Sequence, residues 1–206
     1  MIKHLVIGVV EVGTGLAEIL QCAGIDRSDG VPKADIMHIC FPYSEQFAGA
    51  TGASFIVIHS TVPIGTTSNC DEDAAHSSVR GKHPHLTEGI KAFVKFLGGK
   101  RAEEVTSHFS TLGIETITTK KPENIEAMKL WGTEIYREAI LLNKHIRQYR
   151  EKHEIDFDIA YTLANKTCND GYTKLEHSEF TKYVLRYVRG PIGGHCLEPN
   201  RLMLNQ

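Results

Sequence analysis

Leu5-Val6-Ile7-Gly8-Val9-Val10-Glu11-Val12-Gly13 is the stretch from which the fold is read. The continuous apolar run Leu5–Val10 has no polar alternation, the pattern of a strand buried on both faces inside a parallel sheet. The run ends in the glycine-bearing stretch Gly8-Val9-Val10-Glu11-Val12-Gly13. Leu16, Ala17, Ile19 and Leu20 then recur at helical spacing. Strand, glycine turn and helix in that order predict an α/β domain.

The corner carries chemistry as well. A helix that begins at such a turn aims unpaired N–H groups at it and attracts an anion, in this setting the pyrophosphate of a dinucleotide. The glycine pattern for that use has three glycines, and here the middle place is held by Val10, whose branched side chain crowds the phosphates. An acidic partner for the ribose hydroxyls is expected about 20 residues on. Asp26, closing Ala23-Gly24-Ile25-Asp26, fits, with Asp29 as a fallback. The cofactor-binding set read here is Gly8, Val10, Glu11, Gly13 and Asp26, joined by Pro42, Tyr43, Ser60 and Thr61 at the ends of later strands. A plain strand-to-helix turn holding no cofactor is the alternative.

Outward from that corner, Arg27-Ser28-Asp29-Gly30-Val31-Pro32 leads directly to the apolar run Ile36–Phe41, with no room for a further helix and strand, so the nucleotide half is abridged. Ser44 is a plausible N-cap for a short helix through Phe47. Phe55–Ile58 predicts another buried strand and Asp73–Ser78 a short one. Helical patterns follow at Thr87–Leu97 and Arg101–Leu112, and Ile114–Thr118 is the last strand. Lys120-Lys121-Pro122 breaks the pattern, which sets a boundary near residue 120 between a nucleotide-binding domain (1–120) and a helical one (121–206). From Glu123 to about Lys152, Met128, Trp131, Ile135, Ala139, Leu142, Ile146 and Tyr149 form one stripe, suited to core or to a contact between subunits. A second helix is expected at Phe157–Cys168, stopped by Asn169-Asp170-Gly171, with Asn165, Asn169 and Tyr172 available to a polar cleft.

The formal net charge of −2 gives no footprint for nucleic acid. No apolar run approaches the roughly 20 residues of a membrane span, and Met1 leads straight into the first strand with no signal peptide. The five cysteines (Cys22, Cys40, Cys70, Cys168, Cys196) contain no CxxC pair, so a reducing cytoplasmic location is expected. His83-Pro84-His85 lacks the spacing of a metal site, and no metal is expected.

Near the far end, Gly190-Pro191-Ile192-Gly193-Gly194-His195-Cys196 can form neither a helix nor a central strand, and it ends in a thiol. On the residues alone this is a glycine-rich turn with either a small buried thiol or a nucleophile. Together with His59-Ser60-Thr61-Val62-Pro63-Ile64-Gly65-Thr66-Thr67, with Glu126-Ala127-Met128-Lys129-Leu130 and with the N-terminal glycine turn, it resembles the UDP-glucose/GDP-mannose dehydrogenase family. The likeness is closest to a short subgroup that also carries Ser78-Val79-Arg80-Gly81-Lys82-His83-Pro84 and lacks the C-terminal nucleotide-sugar-binding domain.

That resemblance implies an abridged Rossmann-like parallel sheet with helices on both faces, then a mainly helical domain of the 6-phosphogluconate-dehydrogenase type. It implies oxidation of a sugar-nucleotide or smaller alcohol or aldehyde by NAD or NADP, and a homodimer through the 123–152 helix. Cys196 would be the nucleophile and Lys129 the oxyanion's partner, with Thr61, Thr133 and Asn200 beside them. Arg80, Lys82, His83, Asn165, Gly193, Gly194 and His195 would meet the substrate. Thr133 and Asn200 stand where the family has asparagine and aspartate, and Ser77–Arg80 holds no carboxylate where the family has a glutamate. These departures imply an altered reaction. A ligand-binding or regulatory homologue without redox chemistry, and a non-redox thiol enzyme using Cys196 and His195, are the alternatives.

Overall fold

The computed structural model describes residues 2–26, 32–43, 53–81, 85–193 and 196–205. It begins as expected: β1 (His4–Ile7), the glycine turn, then α1 (Glu11–Leu20). β2 (Ala23–Ile25), β3 (Ala34–Ile39) and β4 (Ala53–Ile58) follow, then α2 (Thr66–Cys70), β5 (Ala75–His76), α3 (Leu86–Ala92), β6 (Lys95–Gly98), α4 (Ala102–Thr111) and β7 (Thr116–Thr119). The seven strands form one sheet in the order β2-β1-β3-β4-β5-β6-β7. Every pairing is parallel except β5–β6, which meet antiparallel at the single bridge His76↔Gly98.

β1 sends the chain to β2 on one side and receives β3 on the other, so the strand order reverses at β1. The crevice of a doubly wound sheet lies at such a point, outside the carboxyl ends of the strands. Asp26 to Lys33 is too short for a parallel crossover with its own helix and strand. Among the described residues β2 is therefore an edge, the abridgement expected from the sequence. Alternate residues feed two cores. Val6, Ile36, Val57, Ala75 and Leu97 meet Leu16 of α1, Ile90 of α3 and Val105 and Phe109 of α4 on one face. Leu5, Ile7, Met37, Ile39, Ile56 and Ile58 meet Val62, Ala74 and Cys70 on the other. The result is the expected Rossmann-like α/β architecture with helices against the sheet.

Two local expectations fail. The helix read as Thr87–Leu97 ends at Ala92, and Lys95–Gly98 is strand β6. Phe93, Phe96 and Leu97 extend the helical spacing of Ile90, while Lys95, itself buried, hides the strand's alternation. The short strand expected within Asp73–Ser78 is present, over Ala75–His76. Asn169-Asp170-Gly171 does not stop a helix: a π-helical turn, Asp158–Leu163, runs into α6 (Ala164–Lys174), and Leu175 caps it. The short helix expected from Ser44 lies outside the described residues.

Helix α5 spans Pro122–His153, close to its expected bounds, with proline at the first position where its missing N–H costs nothing. A last helix, α7, covers Leu197–Leu204. The chain divides into two compact units, Met1–Trp131 with Leu202–Gln206, and Gly132–Arg201. In the second unit the residue buried on α5 is Asn143, not the apolar stripe. Ile135, Leu142 and Tyr149 of that stripe are about half exposed, at 53%, 57% and 56%. The polar side of α5 instead holds an extended segment: Asn143 Nδ2 donates to the Leu185 carbonyl, and Lys144 Nζ to the carbonyls of Val188 and Gly190. Among the described residues of this unit only Phe157 and Tyr161 are buried hydrophobic side chains.

Candidate functional site

In the first unit the candidate site is the carboxyl edge of the sheet around the glycine turn. Gly8 has φ +91, and a Cβ there would lie 2.6 Å from the Phe41 amide nitrogen. A Cβ on Gly13 would lie 2.0 Å from the Gly8 carbonyl oxygen. Both positions therefore require glycine, one for the turn and one for the approach of α1 to β1. This closeness is what the outer glycines of a dinucleotide turn provide. Val10 is the N-cap of α1, has no side-chain cap bond, and is 69% exposed. Glu11 adds a carboxylate in the first turn. Thr14 Oγ1 donates to the carbonyls of Val9 and Val10 and fixes the turn from inside the helix. Asp26 follows β2 directly and is exposed. The backbone and Asp26 thus fit a dinucleotide, and the Val10 isopropyl group is the point of crowding.

The neighbouring strand ends supply Pro42 and Tyr43 after β3 and Ser60 and Thr61 after β4. Ser60 Oγ donates to the Phe41 carbonyl, tying the two ends together, while Thr61 is partly exposed. Cys40 is not a nucleophile in reserve, because burial pushes its thiol up to about 12. Past β5, Arg80 lays its guanidinium over the rings of Phe93 and Phe96, with centroids 5.2 and 5.7 Å away. Lys82 and His83 lie outside the described residues. Lys129 Nζ donates to the Val79 carbonyl at 2.8 Å, so the ammonium of α5 sits on the loop leaving β5.

The stretch that carries Lys129 also carries a buried carboxylate with a structural role. Glu126 is 1% exposed, and its two carboxylate oxygens accept the amides of Thr67 at 2.8 Å and Gly65 at 2.6 Å. It closes the first turn of α2, where Gly65 adopts φ +88. Nearby, Ser68 Oγ donates to Glu123. The two motifs thus pair physically: the start of α5 clamps the loop after Thr61. The glutamate three places ahead of Lys129 was the available signal.

In the second unit Asn200 is buried, and its Nδ2 donates to Thr133 Oγ1 at 3.2 Å. The two departures from the family pattern are therefore partners. Cys196 is exposed and its carbonyl accepts the Asn200 amide at the start of α7. Arg137, which is paired with Glu134, also reaches Glu198 at 3.3 Å. Gly193 is exposed and Asn165 partly exposed, whereas Gly194 and His195 lie outside the described residues. Asn169, proposed for a cleft, is engaged with the Lys182 backbone through both amide atoms.

No family model matches the sequence, and no curated protein matches it. Solved structures match the architecture. The UDP-D-ManNAc dehydrogenase of Pyrococcus horikoshii superposes with a TM-score of 0.75 at 15% identity, over 98% of this chain and 64% of that one. Mycobacterium tuberculosis 3-hydroxyisobutyrate dehydrogenase, in a structure with L-serine, gives 0.58 at 14%, over 76% and 67%. A reductive aminase from Aspergillus terreus in complex with NADPH4, cyclohexanone and allyl amine gives 0.58 at 12%, over 85% and 74%. The fold is the one these enzymes share. This chain spans 64% of the length of the Pyrococcus dehydrogenase. Three different substrates on one scaffold leave the reaction to be argued from the residues.

Proposed function

We propose that the protein is a nicotinamide-dependent oxidoreductase acting on an alcohol or aldehyde, with a sugar-nucleotide as one substrate class. The observation that carries this reading is the turn from Gly8 to Gly13, closed too tightly for any side chain at either glycine, opening at the point where the strand order reverses, with Asp26 at the next strand end. The backbone of Gly8–Gly13 would face the pyrophosphate, Asp26 the ribose hydroxyls, and Tyr43, Ser60 and Thr61 the nicotinamide side. When bound, NAD or NADP supplies hydride acceptance.

The chain's own groups handle the carbonyl. The Cys196 thiolate adds to an aldehyde carbon, forming a carbon–sulfur bond and placing negative charge on the oxygen. By the family resemblance, Lys129 of the first unit takes the role of oxyanion partner and Thr61 that of holding a water or the substrate hydroxyl. Asn200 accepts no proton, so it acts by orientation, through its bond to Thr133. We further propose a homodimer through α5, supported by the exposed stripe and the scarcity of buried apolar side chains in the second unit.

Titration of the purified protein with NAD and with NADP tests the reading. Saturable binding is expected, and no heat or fluorescence change at millimolar cofactor would overturn it. A separate test concerns the thiol. Iodoacetamide should modify Cys196 faster than a free cysteine, and bound cofactor should change that rate; an unperturbed rate removes Cys196 from the chemistry.

A further inference from the structure

Three imidazoles cross the sheet of the first unit in a row. His4 opens β1; Val6, two residues on, pairs with His38 of β3, and His38 pairs with Val57 of β4. His59 lies two residues beyond Val57, and Ser77 two beyond its partner Ala75. The two histidine-to-histidine steps each move one strand across and two residues toward the carboxyl edge, on the face carrying Val6, Val57 and Ala75, and His59 then stands directly opposite Ser77. The contacts are continuous. His4 Nδ1 is 2.9 Å from His38 Nε2, His38 Nδ1 is 2.9 Å from His59 Nε2, and His59 Nδ1 is 2.8 Å from the Ser77 carbonyl. Lys95 of β6 ends the row, its Nζ 3.5 Å from both His59 Nδ1 and that carbonyl.

Lys95 is 5% exposed, and no carboxylate among the described residues lies within ion-pair distance of it. Its Nζ lies over the Phe109 ring, 5.1 Å from the ring centroid. A buried amine of this kind needs a way to exchange protons with water. We propose that His4, His38 and His59 form a proton relay that connects Lys95 to solvent at the amino-terminal edge of the sheet.

The order of hydrogens follows from the donors available. A carbonyl only accepts, so with Lys95 as the neutral amine His59 Nδ1 carries hydrogen toward Ser77, His38 Nδ1 toward His59 and His4 Nδ1 toward His38. With Lys95 as ammonium the order reverses: Nζ donates to His59 Nδ1, and each Nε2 carries the hydrogen. Release then takes four transfers. Lys95 gives a proton to His59 Nδ1, His59 Nε2 to His38 Nδ1, His38 Nε2 to His4 Nδ1, and His4 Nε2 to water. One proton leaves Lys95, one reaches solvent, and every ring ends neutral.

Burial first, and neighbouring charges after it, keep the rings neutral. Burial, then the His4 and Lys95 charges, holds His38 well below the usual imidazole range, and burial with Lys95 does the same at His59. His4 is lowered by burial and by His108 of α4, against the pull of Asp35 at the start of β3. Burial brings the Lys95 ammonium down to about 8, opposed by Cys40. His76 of β5, pushed down to about 3 by burial, with Lys95 and Lys129 adding to it, stands neutral beside the row's end. The relay is independent of any cofactor and of Cys196.

The test is nitrogen NMR of the intact, histidine- and lysine-labelled protein from about pH 6.5 to 9.5. The relay requires that the three histidines exchange the protonated ring nitrogen together, at one midpoint shared with Lys95 Nζ. Tautomers fixed across the range, separate midpoints, or a lysine still charged at the upper end of the range would each overturn it. Lys95→Met should lock the inward order at every pH. His38→Phe should slow exchange of the Lys95 Nζ hydrogens with solvent by roughly tenfold or more. An unchanged rate means water reaches the lysine by another route, and the relay fails. The wild-type titration decides the question even if that variant does not fold.

Discussion

Val10 and Lys95 are single residues that set properties far larger than themselves. Val10 projects its branched side chain from the mouth of the glycine turn, so Val10→Gly is expected to raise NAD(P) affinity about tenfold, roughly 1.4 kcal/mol, by calorimetric titration. Glycine at a helix N-cap carries little penalty, so the fold should tolerate the change. Lys95 works against stability. Its folded midpoint, about 8, lies below the ordinary 10.5, so between those values the unfolded chain holds the extra proton and stability rises with pH. Below about 8 the whole penalty is present, on the order of 3 kcal/mol. Lys95→Met should therefore stabilise the protein at pH 7 and remove that slope from urea titrations across pH 8 to 10.5. The glycine turn, and the place of Asp26 just after a short strand, were legible in sequence because each depends on local spacing. The imidazole row was not, since His4, His38 and His59 meet only through strand register.

At the scale of elements, α5 does two jobs along its length. Its first turns supply Glu126 to the loop before α2, and later turns anchor the 185–190 segment through Asn143 and Lys144. Glu126→Gln would turn an amide nitrogen toward one of the two backbone N–H groups now satisfied. The expected cost is about 2 kcal/mol, seen as a lower urea midpoint at unchanged slope. The helix itself was plain from its stripe, with bounds correct to about a residue. What the stripe does was harder to read, because periodicity marks an apolar face without showing what covers it. β6 was missed for a related reason: a helix ending at Ala92 and a strand beginning at Lys95 share apolar positions that also fit one continuous helix.

For the whole molecule, acid is the predicted weakness. His38, His59 and His76 are neutral and buried, at 0%, 2% and 0% exposure. Below the imidazole's ordinary 6.5 the unfolded chain takes up protons that the folded one refuses, so stability falls with pH, approaching about 4 kcal/mol per pH unit. Urea unfolding at successive pH values from 7 downward should show that slope, with the native state failing well before carboxylates titrate. Assembly is the other whole-molecule property. Ile135→Asp with Leu142→Asp should convert the proposed dimer to monomer by light scattering and lower helical content, because the second unit has little interior of its own. That scarcity also bears on biosynthesis. If α5 pairs two copies as proposed, a copy leaving the ribosome would carry a finished sheet and an unfinished helical unit, so maturation would wait on meeting a sister polypeptide, and at low expression that unit would be where proteases cut first.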